Sequence, residues 1–509
     1  MKDHLARETA RRRLRVCPVP SAIRASQLNL HFPPQTCSPV SAGRDLPSQL
    51  ALLSVRLTAI LFAACLALGS ADSARADDLD DLIAAQMQWQ RIPGLSVAVV
   101  KDGAIVRAKG YGLANIETNT PATAETVYKI GSLSKQFIAG AVLLLSQDAK
   151  LGLDEPVSSY LPNTPDAWRS ITIRHLLTHT SGLVREIPDF DPFKPQSDAE
   201  VIKVVAQLPL NFIPGEKWAY SNVGYYVLAE IITTVSGRPW PEYVSSRIFV
   251  PAAMAATRPT TMEIVPHRAG GYSRQRGKLR NADDWPVLRP SGAFLSTVRD
   301  LAEWDEALTA NLLLEPTSRE EMWTPVTLAG GGTHPYGFGW FVDAVNGHPR
   351  VRHDGGLPGF ASDFERYPED KLTVILLANR DNLDLGDLAN KVAGFYQPAL
   401  LHAAEPAMPD ADPATTRRIR TIIEDFSNNR LTAEPFTAPL GQALVAEMKS
   451  GFGETLRSLK DIESFELLEF QRVGDERNYR YRLVYHHVPL FVTCTINPED
   501  EISKFAIHD

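Results

Sequence analysis

Apolar and polar positions change their period several times along the chain. Leu95–Lys101 is a short apolar run, Asp102-Gly103 is a turn signal, and Ala104–Lys109 is a second run, which together predict two strands joined by a tight turn. Ser132–Gln147 has helical length and no continuous polar face, so the helix it predicts must be buried on most sides. Residues 150–330 are punctuated by proline, with helical patterns at Ile173–Leu177, Asn222–Ser236 and Thr297–Thr309. Strand character returns at Arg350–His353, Phe360–Tyr367 and Leu372–Ala378, and Leu383–Leu401 is helical again. Strands at both ends with helices between predict an α/β architecture: one sheet built from the two ends, and a helical insertion.

Residues 403–415, rich in Ala, Pro and Asp, read as a linker. Beyond it, helices at Thr416–Ser427 and Leu440–Lys449 precede alternating strands at Phe465–Phe470, Tyr479–Tyr485, Leu490–Ile496 and Ile502–Ile507. Residues 416–509 are therefore expected to form a small α+β accessory domain that packs against or gates the first, since it carries no recognisable chemistry.

The first 76 residues differ from the rest. Arg56 precedes the apolar run Leu57–Leu68, and Ala74-Arg75-Ala76 follows, ahead of Asp77-Asp78. A basic flank, an apolar core and an A-x-A site describe a secretory signal peptide cleaved after Ala76. The run is too short for a spanning helix, so no stable membrane anchor is expected after cleavage, the alternative being an uncleaved anchor. Signal peptides are typically 15–30 residues long. Translation is therefore expected to begin near Leu53 or Val55 from a non-ATG codon, because no Met lies between Met1 and Met87. The remainder, 77–402, is the expected catalytic domain of an exported protein, periplasmic or secreted.

Composition narrows the partners. With 44% hydrophobic and 22% charged residues in 509, the chain is an ordinary globular one, neither disordered nor fibrous. Without the leader, which holds 10 of the 52 basic and 4 of the 60 acidic residues, 42 and 56 remain, a net charge of −14. No strongly basic domain stands out, and nucleic acid is not an expected partner. Cys17, Cys37 and Cys65 fall in the leader; Cys494 alone remains, and no intrachain disulfide can form.

Three short elements carry chemistry. Ser132-Leu-Ser-Lys135 opens the apolar helix, with Ser132 and Lys135 one turn apart on one face. A desolvated lysine of lowered pKa can take the proton of a serine nucleophile. Ser134 is a rival serine with no Lys three residues on. Tyr220-Ser221-Asn222 follows the Pro214-Gly215 turn signal; its tyrosine can serve as a general base near a cation, and Asn222 can bind the substrate or the lysine. His353-Asp354-Gly355-Gly356 ends a strand, where glycine lets an extended substrate lie along the edge. The N–H of Gly356 can join that of Ser132 as an oxyanion hole. His175 and His179 stand at i and i+4, a zinc-like spacing, but no H-E-x-x-H is completed and no metal site is expected. No serine stands in a G-x-S-x-G elbow, which excludes that type of α/β-hydrolase.

S-x-x-K, Y-x-N about 85 residues on and H-x-G about 130 further resemble, in order and spacing, the penicillin-recognising serine hydrolases. The nearest branch looks like class C β-lactamase with the related DD-peptidases, D-aminopeptidases and esterases. Ile92–Ala98, His175–Leu183, Gly292–Trp304, Tyr336–Trp340 and Leu357-Pro-Gly-Phe360 are similar to further signatures, so the resemblance covers roughly Asp80 to Leu400. It implies a β-lactamase/transpeptidase-like three-layer sandwich, an antiparallel sheet flanked by helices, and no cofactor. It also implies that Ser132 forms an acyl-enzyme, that Lys135 and Tyr220 share base and proton-shuttle roles, that Asn222 positions substrate or Lys135, and that His353 replaces the frequent third-motif lysine. Either Lys135 or Tyr220 can take the first proton.

One departure bears on substrate. Where such β-lactamases commonly show K-T-G, this chain has H-D-G, placing Asp354 where a penicillin carboxylate would arrive. Like charges ~4 Å apart cost about 1 kcal/mol in water and ~4 at a protein surface, a factor of roughly 10 to 1000. A small ester or a D-amino-acid peptide or amide is therefore expected over a β-lactam. The alternatives are a true class C-like β-lactamase or DD-carboxypeptidase, and a catalytically silent binding protein of the same fold.

Overall fold

The computed structural model of the protein describes residues 78–508 except 195, 276, 287–288, 402–404, 411, 450–455, 458–461 and 486–487. The leader, its cleavage site and parts of the 403–415 stretch lie outside the described residues. The described residues begin with helix α1 (78–90). Strands β1 (Gly94–Lys101), β2 (Ala104–Asn115) and β3 (Thr120–Pro121) follow, then β4 (Phe341–Val345), β5 (His348–Leu357), β6 (Phe360–Tyr367) and β7 (Leu372–Ala378). They form one antiparallel sheet in the order β4-β5-β6-β7-β1-β2-β3. The two ends of the expected domain meet at the β1–β7 pair, with Leu95 opposite Ala378 and Lys101 opposite Leu372.

Both faces of the sheet are covered, which explains why its central strands read as continuous apolar runs rather than as alternation. Ala98, Val100, Ile375 and Leu377 face one core, and Leu95, Val97, Val99, Val374 and Leu376 face the other. The first core is closed by α2 (Ser134–Gln147), α3 (Ile173–Leu177), α4 (Asp198–Val205), α5 (Asn222–Ser236) and α6 (Val298–Thr309). Leu79, Ile83 and Met87 of α1 and Leu388 and Val392 of α7 (Gly386–Tyr396) close the second. In α2 every residue from Ser134 to Leu145 is buried, and each apolar side chain so placed stabilises by about 1.5–3 kcal/mol.

Two sequence expectations shift. The helix begins at Ser134, not Ser132, because Gly131–Leu133 forms a tight 3₁₀ turn with Gly131 at φ +52. Strand β5 does not stop at His353 but runs through both glycines to Leu357. Helices α1 and α4 and strand β4 were not predicted.

At the C-terminal end, α8 (Pro413–Ser427) and α9 (Ala438–Met448) precede β8 (Ser464–Val473), β9 (Glu476–Tyr485), β10 (Val488–Ile496) and β11 (Ile502–His508), which form an antiparallel sheet in chain order. Tyr479, Tyr481, Leu483 and Tyr485 alternate inward along β9 into a core with Ile419, Ile423 and Phe426 of α8. Ala85 of α1 belongs to this core as well. Among the described residues no helix is long and apolar enough to cross a membrane.

Candidate active site

Ser132 lines a cavity of about 580 Å³ at the meeting of the 3₁₀ turn, the N-terminus of α5 and the end of β5. The turn approaches β5 closely. A Cβ on Gly131 would lie 2.7 Å from the Gly356 nitrogen, and one on Gly355 would lie 2.2 Å from the Ile130 carbonyl oxygen and 2.3 Å from Ser362 Oγ. Gly355 is buried and does not line the cavity, whereas His353, Asp354 and Gly356 do. Gly355 packs against the Gly131–Leu133 turn, and any side chain there would push that turn off the strand. Gly355→Ala is expected to shift that turn by the order of 1 Å and lower kcat by about 100-fold. Steady-state rates on a p-nitrophenyl ester, beside a far-UV spectrum showing the fold intact, check this. β4 pairs with β5 only as far as Arg352, so among the described residues no strand pairs with this edge of β5 from His353 onward.

Lys135 is fully buried on α2. Its Nζ lies 3.0 Å from Ser132 Oγ, 2.8 Å from Asn222 Oδ1 and 2.9 Å from the Ser291 carbonyl oxygen. Desolvation holds its pKa well below the usual lysine range; the charges of Glu186 and Asp354 oppose this, and those of Arg289 and Arg185 add to it. The Tyr220 hydroxyl is 2.9 Å from Ser132 Oγ, and burial pushes its pKa up. Asn222 begins α5, whose N-terminus is capped by Ser221 Oγ accepting from the Gly224 N–H at 3.1 Å. The Asn222 amide donates to Glu186, which pairs with Arg289. The spacing thus brings Ser132, Lys135, Tyr220 and Asn222 into one hydrogen-bonded set. Ser134 lies outside it, buried and accepting from the Phe294 N–H at 3.1 Å.

His353 is buried beside this set. Its Nε2 is 3.0 Å from the Tyr336 hydroxyl and its Nδ1 is 2.6 Å from the Asp354 carbonyl oxygen. Desolvation lowers its pKa to about 4. His175 and His179 do not converge on one point. The Thr172 N–H donates to His175 Nδ1 at 3.2 Å in the cap of α3, whereas His179 reaches the Tyr336 hydroxyl at 3.1 Å. No cluster of three or more ligating side chains that could hold a metal occurs among the described residues. Asp354 is exposed at the cavity wall and forms no ion pair among the described residues, and its charge acts on Lys135, Tyr220 and His353. Arg185 also lines the cavity, 5.2 Å from the Tyr220 ring centroid.

Glu186, Arg289, Arg185 and Trp218 line the cavity without having been singled out in the sequence. They sit in non-periodic loops; Trp218 lies two residues before Tyr220, whereas Arg185, Glu186 and Arg289 are brought to the site by contacts between distant segments. Tyr336 lay in a segment resembling the family, with no role assigned.

A family model described as Beta-lactamase matches residues 79–395. A penicillin-binding protein of Bacillus subtilis (strain 168) is 30% identical over 338 residues, 61% of this chain and 71% of that protein. The D-amino acid amidase of Ochrobactrum anthropi SV3, solved with D-phenylalanine, aligns with TM-score 0.55 and 26% identity over 65% of this chain and 98% of that one. An octameric penicillin-binding protein homologue from Pyrococcus abyssi shares the fold, with TM-score 0.57 and 22% identity over 85% of this chain and 100% of that one. With its S-x-x-K serine and lysine joined to the Y-x-N tyrosine in one hydrogen-bonded set, this chain belongs to the Beta-lactamase family of serine hydrolases.

Proposed function

We propose that this is an exported hydrolase that cleaves small esters or D-amino-acid amides and peptides through an acyl-enzyme on Ser132. The observation that carries the mechanism is the set of partners around Lys135 Nζ. A neutral amine has two N–H groups and one lone pair. Nζ reaches Asn222 Oδ1, the Ser291 carbonyl oxygen and Ser132 Oγ, to all of which the charged ammonium donates; once Lys135 is neutral, the two carbonyl oxygens keep its N–H groups and its lone pair is left for the Ser132 hydroxyl proton. Burial favours that neutral form, so Lys135 is the base. The Tyr220 phenol, kept protonated by burial, donates to Ser132 Oγ and is the acid available to the leaving amine or alcohol. Ser132 Oγ attacks the substrate carbonyl, the N–H groups of Ser132 and Gly356 receive the oxyanion, and water then releases the acyl group. His353 and Asn222 act by holding this arrangement.

The substrate preference rests on Asp354. A carboxylate laid along the β5 edge meets that charge, whereas a neutral acyl group does not. Asp354→Asn is expected to raise kcat/KM on a penicillin by about tenfold or more and to leave a p-nitrophenyl ester within about twofold. Equal penicillin rates in both proteins would remove the basis for disfavouring β-lactams. Arg185, which also lines the cavity, supports the second reading, β-lactamase or DD-carboxypeptidase activity, for substrates whose carboxylate reaches it.

A further inference from the structure

A run of hydrogen bonds crosses beneath the cavity floor: Ser221 N to His179 Nδ1 (3.1 Å), His179 Nε2 to Tyr336 Oη (3.1 Å), Tyr336 Oη to His353 Nε2 (3.0 Å), and His353 Nδ1 to Asp354 O (2.6 Å). All three side chains are buried to within 1% exposure. Backbone groups of fixed polarity stand at both ends. The Ser221 N–H can only donate, so His179 Nδ1 carries no proton and its Nε2–H must donate to Tyr336. The Asp354 carbonyl can only accept, so His353 Nδ1 carries a proton. With His353 neutral, its Nε2 must accept the Tyr336 hydroxyl proton. The Tyr225 hydroxyl, which also bonds Tyr336, donates to the Leu177 carbonyl oxygen at 3.1 Å. With both rings neutral and in opposite tautomers, every donor of the run meets an acceptor.

We propose that His179 and Tyr336 are positioning residues, which lock His353 as a neutral Nδ1–H ring and tie the Tyr220–Asn222 segment to β5 across the cleft. Both ring nitrogens of His353 are then occupied by protein, so His353 neither takes nor gives a proton in the reaction. Its place in the site is to hold the β5 edge against Tyr220. The relay also packs on that tyrosine directly, with the His179 and Tyr220 ring centroids 4.3 Å apart. A charge on His179 would face Lys135, Arg185 and His334, and one on His353 would face Lys135, Arg352 and Asp354. On the His179 side these neighbours are cations, or become cations on protonation, so the neutral ring is the one that disturbs Lys135 least. The proposal takes Tyr220 as part of the Ser132 machinery but does not depend on which substrate is cleaved.

The test is a ¹⁵N spectrum of histidine-labelled protein at pH 7, with signals assigned through His179→Asn and His353→Asn. The expected result is opposite tautomers: His353 protonated on Nδ1 and His179 on Nε2. A His353 protonated on Nε2, a cationic His353, or two rings of the same tautomer overturns the relay, whatever the fate of the substrate reading. In Tyr336→Phe two buried nitrogens lose their partner. There kcat is expected to fall by about tenfold or more with KM within about threefold, the sign of lost positioning rather than lost binding. A kcat within twofold of wild type, or a loss confined to KM, overturns the positioning role. The wild-type spectrum decides the tautomers even if that variant does not fold.

Discussion

Ser132→Ala is expected to lose at least about 10⁴-fold in turnover, since the nucleophile of a covalent mechanism has no substitute in the site. The hydroxyl stands between two groups, with Lys135 Nζ at 3.0 Å and the Tyr220 hydroxyl at 2.9 Å. Its neighbour Ser134 is buried and engaged with the backbone of Phe294, so it cannot take over. Intact-mass spectrometry after mixing with p-nitrophenyl butyrate, D-alanine p-nitroanilide or a penicillin separates the readings. A mass gain or turnover with the ester or the amide in wild type, absent from Ser132→Ala, identifies Ser132 as the acylated residue. Rapid penicillin turnover would favour the β-lactamase reading instead. No Ser132-dependent reaction with any of the three would leave two readings, a hydrolase of narrow substrate range or a binding protein.

Lys135→Met is expected to lower kcat by about 10³- to 10⁴-fold, toward the upper end of what a positioned base contributes. The pH dependence separates the two candidate bases. A lysine base works in its neutral form, and the neutral fraction grows as pH rises through its pKa. The wild-type rate should therefore climb with pH to a plateau, with the midpoint well below the ordinary lysine value because Lys135 is desolvated. That climb should vanish in Lys135→Met and persist, at lower amplitude, in Tyr220→Phe. Were Tyr220 the base, burial would move the midpoint to strongly alkaline pH, and the rate would still be rising above pH 10.

Much of the fold could be read from the sequence because its strands are short, apolar and punctuated by turns. Phe360–Tyr367 and Leu372–Ala378 are strands with those same bounds, and Asn222–Ser236 and Ile173–Leu177 are helices with theirs. The errors fall where a close contact overrides local preference. Gly355 and Gly356 read as a break, yet β5 continues through them because β5 and the nucleophile turn approach too closely for a side chain. Phe341–Val345 follows a glycine-rich segment and has no strong alternation, so its pairing with β5 was not visible. In the site, the motif spacing located Ser132, Lys135, Tyr220 and Asn222. The Glu186–Arg289 pair that holds Asn222, and the two residues that hold His353, come from loops with no period, so only the folded chain brings them together.

Helix α1 contributes Leu79, Ile83 and Met87 to the core beneath the sheet and Ala85 to the C-terminal core. The strand that follows it, β1, has as one neighbour a strand nearly three hundred residues further on. On a ribosome β1 can pair with β2 as soon as both emerge, but its other edge stays uncovered until Leu372–Ala378 has been made. Pairings between such distant segments are slow to form. For the export proposed above, this late closure leaves an interval in which the unfinished fold can be passed through a translocation channel before the sheet is complete.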